Sequence, residues 1–175
     1  SLKFAGGSDG ILSGASIPSC QIATNGSATI EVFIRPNVVN ANQAIISNYY
    51  YISGGTEQGW LFRILSNGQL QFYNAGVGVA VAGGTITANT WQYVACKISA
   101  GSATLHVNGT QVAGPVAIGA FSYNNNPRVG VGCGYYSGQT NNVFNSMNGF
   151  IDEVRLTIGV ARDVSSIPSV PFPDA

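Results

Sequence analysis

Charge is what this chain has least of: Asp, Glu, Lys and Arg together make up 8% of it, seven acidic against seven basic. A chain with so little charge and no net balance lacks the field that gathers nucleic acid or an anionic membrane surface, so both partner classes are set aside. Long apolar runs are missing as well. None approaches the roughly 18 residues of a membrane span, and no basic-then-apolar leader opens the chain, so a soluble segment without membrane insertion is expected, with Ser1 beginning a fragment or a cleaved chain. Cysteine is sparse: Cys20, Cys96 and Cys133 form an odd set without C-x-x-C spacing. That argues against a zinc site and a fully paired disulfide framework, and it leaves at least one thiol free. Glu and Lys, the usual exposed helix formers, are scarce, and no ten-residue helical periodicity appears.

What is present reads as strand and turn. The 175 residues suit one domain with a sizeable core, placed at 1–162, with 163–175 as a C-terminal cap and a tail carrying Pro168, Pro171 and Pro173. Ile30, Val32 and Ile34 alternate with Glu31, Phe33 and Arg35, and Val94, Cys96 and Ile98 alternate with Tyr93, Ala95 and Lys97. Each such segment must bury one face on a second sheet, and Cys96 then reads as a small core hydrophobe. Ser66-Asn67-Gly68-Gln69 and Asn108-Gly109 each separate two strand-like runs, and Asn-Gly readily takes the positive φ of a type I′ turn, so both predict hairpins. Between the strands lie three polar stretches, 48–58, 114–127 and 134–148, expected to be loops that carry the function.

Four segments in a fixed order carry a resemblance. They are Thr29-Ile-Glu-Val-Phe-Ile-Arg-Pro36, Trp91-Gln-Tyr-Val-Ala-Cys-Lys-Ile98, the Asn108-Gly109 hairpin, and Gly149-Phe-Ile-Asp-Glu-Val-Arg-Leu156. From Leu2-Lys3-Phe4 to about Arg162 the chain resembles the laminin-G-like branch of the concanavalin A-like lectin/glucanase superfamily. The resemblance implies an all-β, two-sheet antiparallel jelly-roll sandwich. Its closing segment, Ile151 to Arg162 followed by a proline-containing tail, resembles versions found in bacteriophage tail and capsid-surface proteins.

Relatives of this fold include glucanases, whose chemistry commonly uses two carboxyl groups flanking the sugar bond, set on one strand face as E-x-D-x-x-E. No such string occurs here. Asp152 and Glu153 are adjacent in a strand, where alternation sends them to opposite faces, and Glu57 has no acidic neighbour. His106 has no Ser or Cys partner in sequence and reads as structural. The chain is therefore expected not to be an enzyme. Glu31, Arg35, Glu153 and Arg155 are expected to cluster as compensating ion pairs, with a polar floor for a ligand as the alternative. Asp152, alternating with Phe150, Val154 and Leu156, is expected to put a carboxylate on an apolar face, where it needs a partner. The resemblance implies a structural calcium ion held by Asp152 with backbone carbonyls near Asp9 and Gly10, with backbone amides as the rival partner.

Sugars present C–H faces and hydroxyl edges, so a glycan site needs exposed rings and amides. The polar stretches offer Tyr49, Tyr50, Tyr51, Trp60, Tyr123, Asn125, Tyr135, Tyr136 and Asn141 as carbohydrate-binding candidates. The resulting expectation is a non-catalytic recognition or adhesion module on a phage virion surface or otherwise extracellular, binding a cell-surface glycan or polysaccharide. The alternative is a structural virion or cell-surface module whose loops contact other virion or cell-surface proteins without binding sugar.

Overall fold

The computed structural model describes residues 1–15, 17–52, 55–123, 128–135 and 143–172. Its strands are β1 (Leu2–Ala5), β2 (Ile11–Leu12), β3 (Ala28–Pro36), β4 (Gln43–Ile52), β5 (Thr56–Ile64), β6 (Leu70–Asn74), β7 (Val79–Gly83), β8 (Gln92–Ser99), β9 (Ser102–Val107), β10 (Thr110–Ala117), β11 (Gly130–Val131), β12 (Gly134–Tyr135), β13 (Val143–Phe144) and β14 (Asn148–Ile158). A single 3-10 turn at Pro18–Cys20 is the helical element among the described residues. The first sheet runs β1-β14-β3-β8-β9-β10, the second β2-β11-β4-β5-β6-β7, and β12 pairs separately with β13. Every pairing is antiparallel. The expected two-sheet jelly-roll sandwich is what the chain forms.

The period-two pattern sets the core. Ile30, Val32 and Ile34 of β3 and Val94, Cys96 and Ile98 of β8 point inward and meet Trp60, Phe62, Ile64 and Phe72 of the second sheet in one buried cluster. Cys96 is fully enclosed, and its burial in apolar surroundings pushes the thiol pKa up. All three cysteines are free.

Both Asn-Gly hairpins are present, in different forms. Asn108 (φ 49°) and Gly109 (φ 81°) both lie in the left-handed region, as a type I′ turn requires. At Asn67-Gly68 only Gly68 is left-handed, at φ 80°. There the Gly68 N–H closes a turn onto the Leu65 carbonyl, while the Leu65 N–H returns to the Gln69 carbonyl. The connection is therefore not the type I′ turn expected at Asn67-Gly68.

The stretch 48–58 is not the loop expected of it. Asn48–Ile52 completes β4 and Thr56–Trp60 begins β5, in continuous register from Asn48↔Trp60 to Ile52↔Thr56. Tyrosines suit a pleated, half-buried surface, so consecutive Tyr49, Tyr50 and Tyr51 extend the ladder.

A second departure lies in β14. Its pairing with β3 slips between Asp152 and Arg155, a β-bulge in which Glu153 takes φ 49°. Before the bulge the even residues face outward; after it Arg155 faces outward and Leu156 packs toward the core. Beyond β14, residues 163–172 lie on the outer face of the first sheet. There Val164 packs on Tyr93 and Ala95, and Phe172 joins the same group beside Phe33.

Candidate functional site

The long β4–β5 hairpin and its neighbour β6 place one set of side chains on the outer face of the second sheet. Alternation puts Tyr49, Tyr51, Glu57, Leu61 and Arg63 there, and the β5–β6 register sets Gln71 opposite Arg63 and Tyr73 opposite Leu61. Tyr49, Ala44, Leu61 and Ala75 form a small cluster of their own, joined by Tyr51, Tyr73 and Phe144. Phe144, from β13, meets the Tyr49 ring edge-on at 5.1 Å. The result is a basin of about 270 Å³ lined by Tyr49, Glu57, Leu61, Arg63, Tyr73, Phe144 and Asn145.

Its polar groups are fixed by one another. Arg63 donates from Nε to Gln71 Oε1 at 2.8 Å, and its guanidinium carbon lies 5.5 Å from the Tyr73 ring centre. Tyr73 donates its hydroxyl to Glu57 Oε2 at 2.7 Å. Burial, and then this bond to a carboxylate, push the Tyr73 pKa up to about 12, so the hydroxyl keeps its proton and remains a donor. Burial draws the Arg63 pKa down, and the nearby Glu57 works against that shift. The two terminal nitrogens of Arg63 carry no hydrogen bond among the described residues. The basin thus presents a half-buried cationic fork, a carboxylate and aromatic edges, all rooted on strands.

Of the nine carbohydrate candidates named from sequence, Tyr49 lines this basin and Tyr51 packs in the cluster beside it. Trp60 is corrected: it is 0% exposed, in the core on the opposite face, stacked 6.1 Å from Phe72, and cannot meet a sugar. Tyr50 falls by alternation on the Trp60 side of the strand. Tyr123 spends its hydroxyl on Ile22, accepting from its N–H at 2.8 Å and donating to its carbonyl at 3.2 Å, so it ties two segments together. Tyr135 lies in β12, with Arg128 5.3 Å from its ring centre. Asn125, Tyr136 and Asn141 lie outside the described residues. Reasoning from sequence passed over Arg63, Tyr73, Gln71, Phe144 and Asn145 and weighed Glu57 only as a catalyst. The Asn67-Gly68 hairpin was the available signal, because it folds Gln71 and Tyr73 back beside Arg63 and Leu61.

The calcium residues do not come together. The Asp152 side chain is 45% exposed on the outer face of the first sheet, turned away from the core, and lies 3.4 Å from the Ser1 amino group. Asp9 instead accepts the Ala5 N–H at 2.7 Å, at the other end of β1. Four residues of extended chain, about 13 Å, separate those two anchor points. Asp9 and Asp152 thus anchor opposite ends of β1. Gly10 packs so closely against Cys133 that a Cβ there would collide with its sulfur. No group of three or more His, Cys, Asp or Glu arranged to hold a metal occurs among the described residues.

The charge cluster forms with a different membership. Glu31, 1% exposed, takes Arg155 through two hydrogen bonds of 2.8 and 2.6 Å, the Tyr93 hydroxyl at 2.8 Å and Arg162 Nε at 3.3 Å. Arg35 turns instead to the Asn89 carbonyl, and Glu153 Oε2 accepts the Phe172 N–H. Arg162 takes the place expected of Arg35, because Thr29 Oγ1 accepts the Arg162 N–H and draws that segment over β3.

Residues 8–160 match the laminin-G-like family of the concanavalin A-like lectin/glucanases superfamily, and the chain belongs to it. A comparison with curated proteins gives no match. Among solved structures, the chain is similar to the CBM40 of the Ruminococcus gnavus IT-sialidase bound to α2,3-sialyllactose, at 15% identity and a TM-score of 0.65, covering 89% of each chain. It is similar to the leech intramolecular trans-sialidase at 13% identity and a TM-score of 0.72, covering 99% of this chain and 27% of that one. Domains LG4-5 of the mouse laminin α1 chain are similar at 17% identity and a TM-score of 0.57, over 88% of this chain and 40% of theirs. At these identities the likeness shows the fold.

Proposed function

We propose that this domain is a non-catalytic recognition module that binds carbohydrate in the basin on the second sheet. The observation that carries the reading is the Arg63–Gln71–Tyr73–Glu57 chain: its hydrogen bonds fix a guanidinium whose terminal nitrogens stay available, beside a carboxylate and between aromatic edges. Hydroxyl groups of a sugar both donate and accept, and this set offers both roles with little reorganisation. Glu57 is the carboxylate that lines the basin, whereas glycoside hydrolysis commonly uses two. The similarity to a carbohydrate-binding module bound to sialyllactose supports the ligand class. Display on a phage virion, addressing a cell-surface polysaccharide in several copies, rests on the resemblance of the closing segment, and avidity would then multiply a weak single site.

A glycan array probed with a multimerised domain tests the reading. Binding to at least one glycan is expected, and Arg63→Ala should weaken it about tenfold, the loss of a charge-assisted hydrogen bond. Binding undiminished in Arg63→Ala refutes the basin as the site. Silence across the array, together with capture of a purified virion protein, transfers the function to protein contacts.

A further inference from the structure

The opposite side of the sandwich holds a second groove, which takes in Asp152 and Glu153 but none of the residues named from sequence as carbohydrate-binding. It is about 310 Å³, floored by Phe33 and Trp91, with Asp152 and Glu153 on one side and the Pro168–Pro171 segment on the other. A volume of that size is at the lower bound for small-ligand pockets. Strand alternation sends adjacent carboxylates to opposite faces, yet here both line one groove, because the bulge in β14 places Glu153 at φ 49°.

Trp91 is 42% exposed, unusual for so large an apolar ring. It is braced from behind: its ring lies 6.3 Å from Phe150, which in turn lies 5.5 Å from the Arg35 guanidinium carbon. Arg35 is held by the Asn89 carbonyl at 3.2 Å. One oxygen of Glu153 accepts the Phe172 N–H at 2.7 Å; the other has no partner among the described residues. Asp152 Oδ1 accepts the Glu153 N–H, and Oδ2 lies at the edge of hydrogen-bonding range from the Ser1 amino group.

We infer that this groove is a second carbohydrate site, specific for a neutral pyranose of a glycan. The apolar face of the ring stacks on Trp91, and its hydroxyls donate to Asp152 and Glu153 in charge-assisted bonds. Two carboxylates in one groove repel uronic, sialic and sulfated sugars, so this face differs from the Arg63 basin in the charge it accepts. Because the two sites lie on opposite faces of the sandwich, one domain can bridge two strands of polysaccharide.

The chain has two tryptophans, and Trp60 is wholly buried, so acrylamide quenching of the intrinsic fluorescence reports on Trp91. Cellohexaose, maltohexaose, laminarihexaose and chitohexaose serve as probes at millimolar concentration, with glucuronate and tetramethylammonium as charged controls. At least one neutral oligosaccharide should protect the fluorescence from quenching, and Glu153→Gln and Asp152→Asn should each weaken that binding about fivefold. Melting curves establish that each variant is folded. Repeating the titrations on Arg63→Ala reads this groove apart from the basin; protection that persists there keeps the two sites separate even if the basin reading fails. Absence of protection by all four oligosaccharides, protection by tetramethylammonium alone, or protection lost in Arg63→Ala overturns the inference.

Discussion

Replacing Arg155 by Met tests the anchor that ties the closing strand to β3 beneath the C-terminal segment. The change deletes two hydrogen bonds to Glu31, of 2.8 and 2.6 Å, while keeping an apolar stem to pack near Phe172. Glu31 is 1% exposed, so its carboxylate cannot regain water; it keeps the Tyr93 hydroxyl at 2.8 Å and Arg162 at 3.3 Å. Breaking a buried pair by removing one partner costs about 3–5 kcal/mol, and two surviving partners set the expectation at the lower end, about 3 kcal/mol. For a domain of this size each kcal/mol moves Tm by about 2–4 °C, so a fall of about 6–12 °C is expected by calorimetry. Adding Glu31→Gln to Arg155→Met should recover about 2 kcal/mol of that loss, because a buried charge left with the part-exposed Arg162 as its cationic partner is gone. A single-variant cost below about 1 kcal/mol, the value of an exposed pair, refutes the reasoning.

Burial, helped by nearby Lys97 and opposed by the Gly109 backbone and Asp163, holds the His106 pKa below its usual 6.5. The unfolded chain therefore takes up a proton that the folded one resists, and stability falls as pH drops below about 6.5 toward the folded value. His106→Gln should flatten this part of the stability-versus-pH curve, and urea melts of the two proteins with parallel pH profiles would show His106 is not the source. A calcium chelator should leave Tm unchanged, since Asp9 and Asp152 anchor opposite ends of β1; a chelator-induced drop that Asp152→Ala abolishes would restore calcium to that residue.

The sandwich was legible in sequence wherever the determining signal is local. Alternation at Ile30–Arg35 and Tyr93–Ile98 is a property of consecutive residues, and it assigns Ile30, Val32, Ile34, Val94, Cys96 and Ile98 to the core face of their strands. Asn108-Gly109 carried its own turn geometry in the same way. The sites were less legible because they depend on register and on interruptions of period two. Whether Tyr49, Tyr50, Tyr51 and Trp60 line a loop or continue a ladder depends on the pairing of β4 with β5, and that pairing buries Trp60 while leaving Tyr49 beside Arg63. The bulge at Glu153 has no marker in Ile151-Asp-Glu-Val-Arg155, yet it reverses which residues of β14 face outward. It sets Asp152 and Glu153 in one groove and brings Arg155 onto Glu31, placements that exist only once β3, β8 and the returning C-terminal segment are packed around that strand.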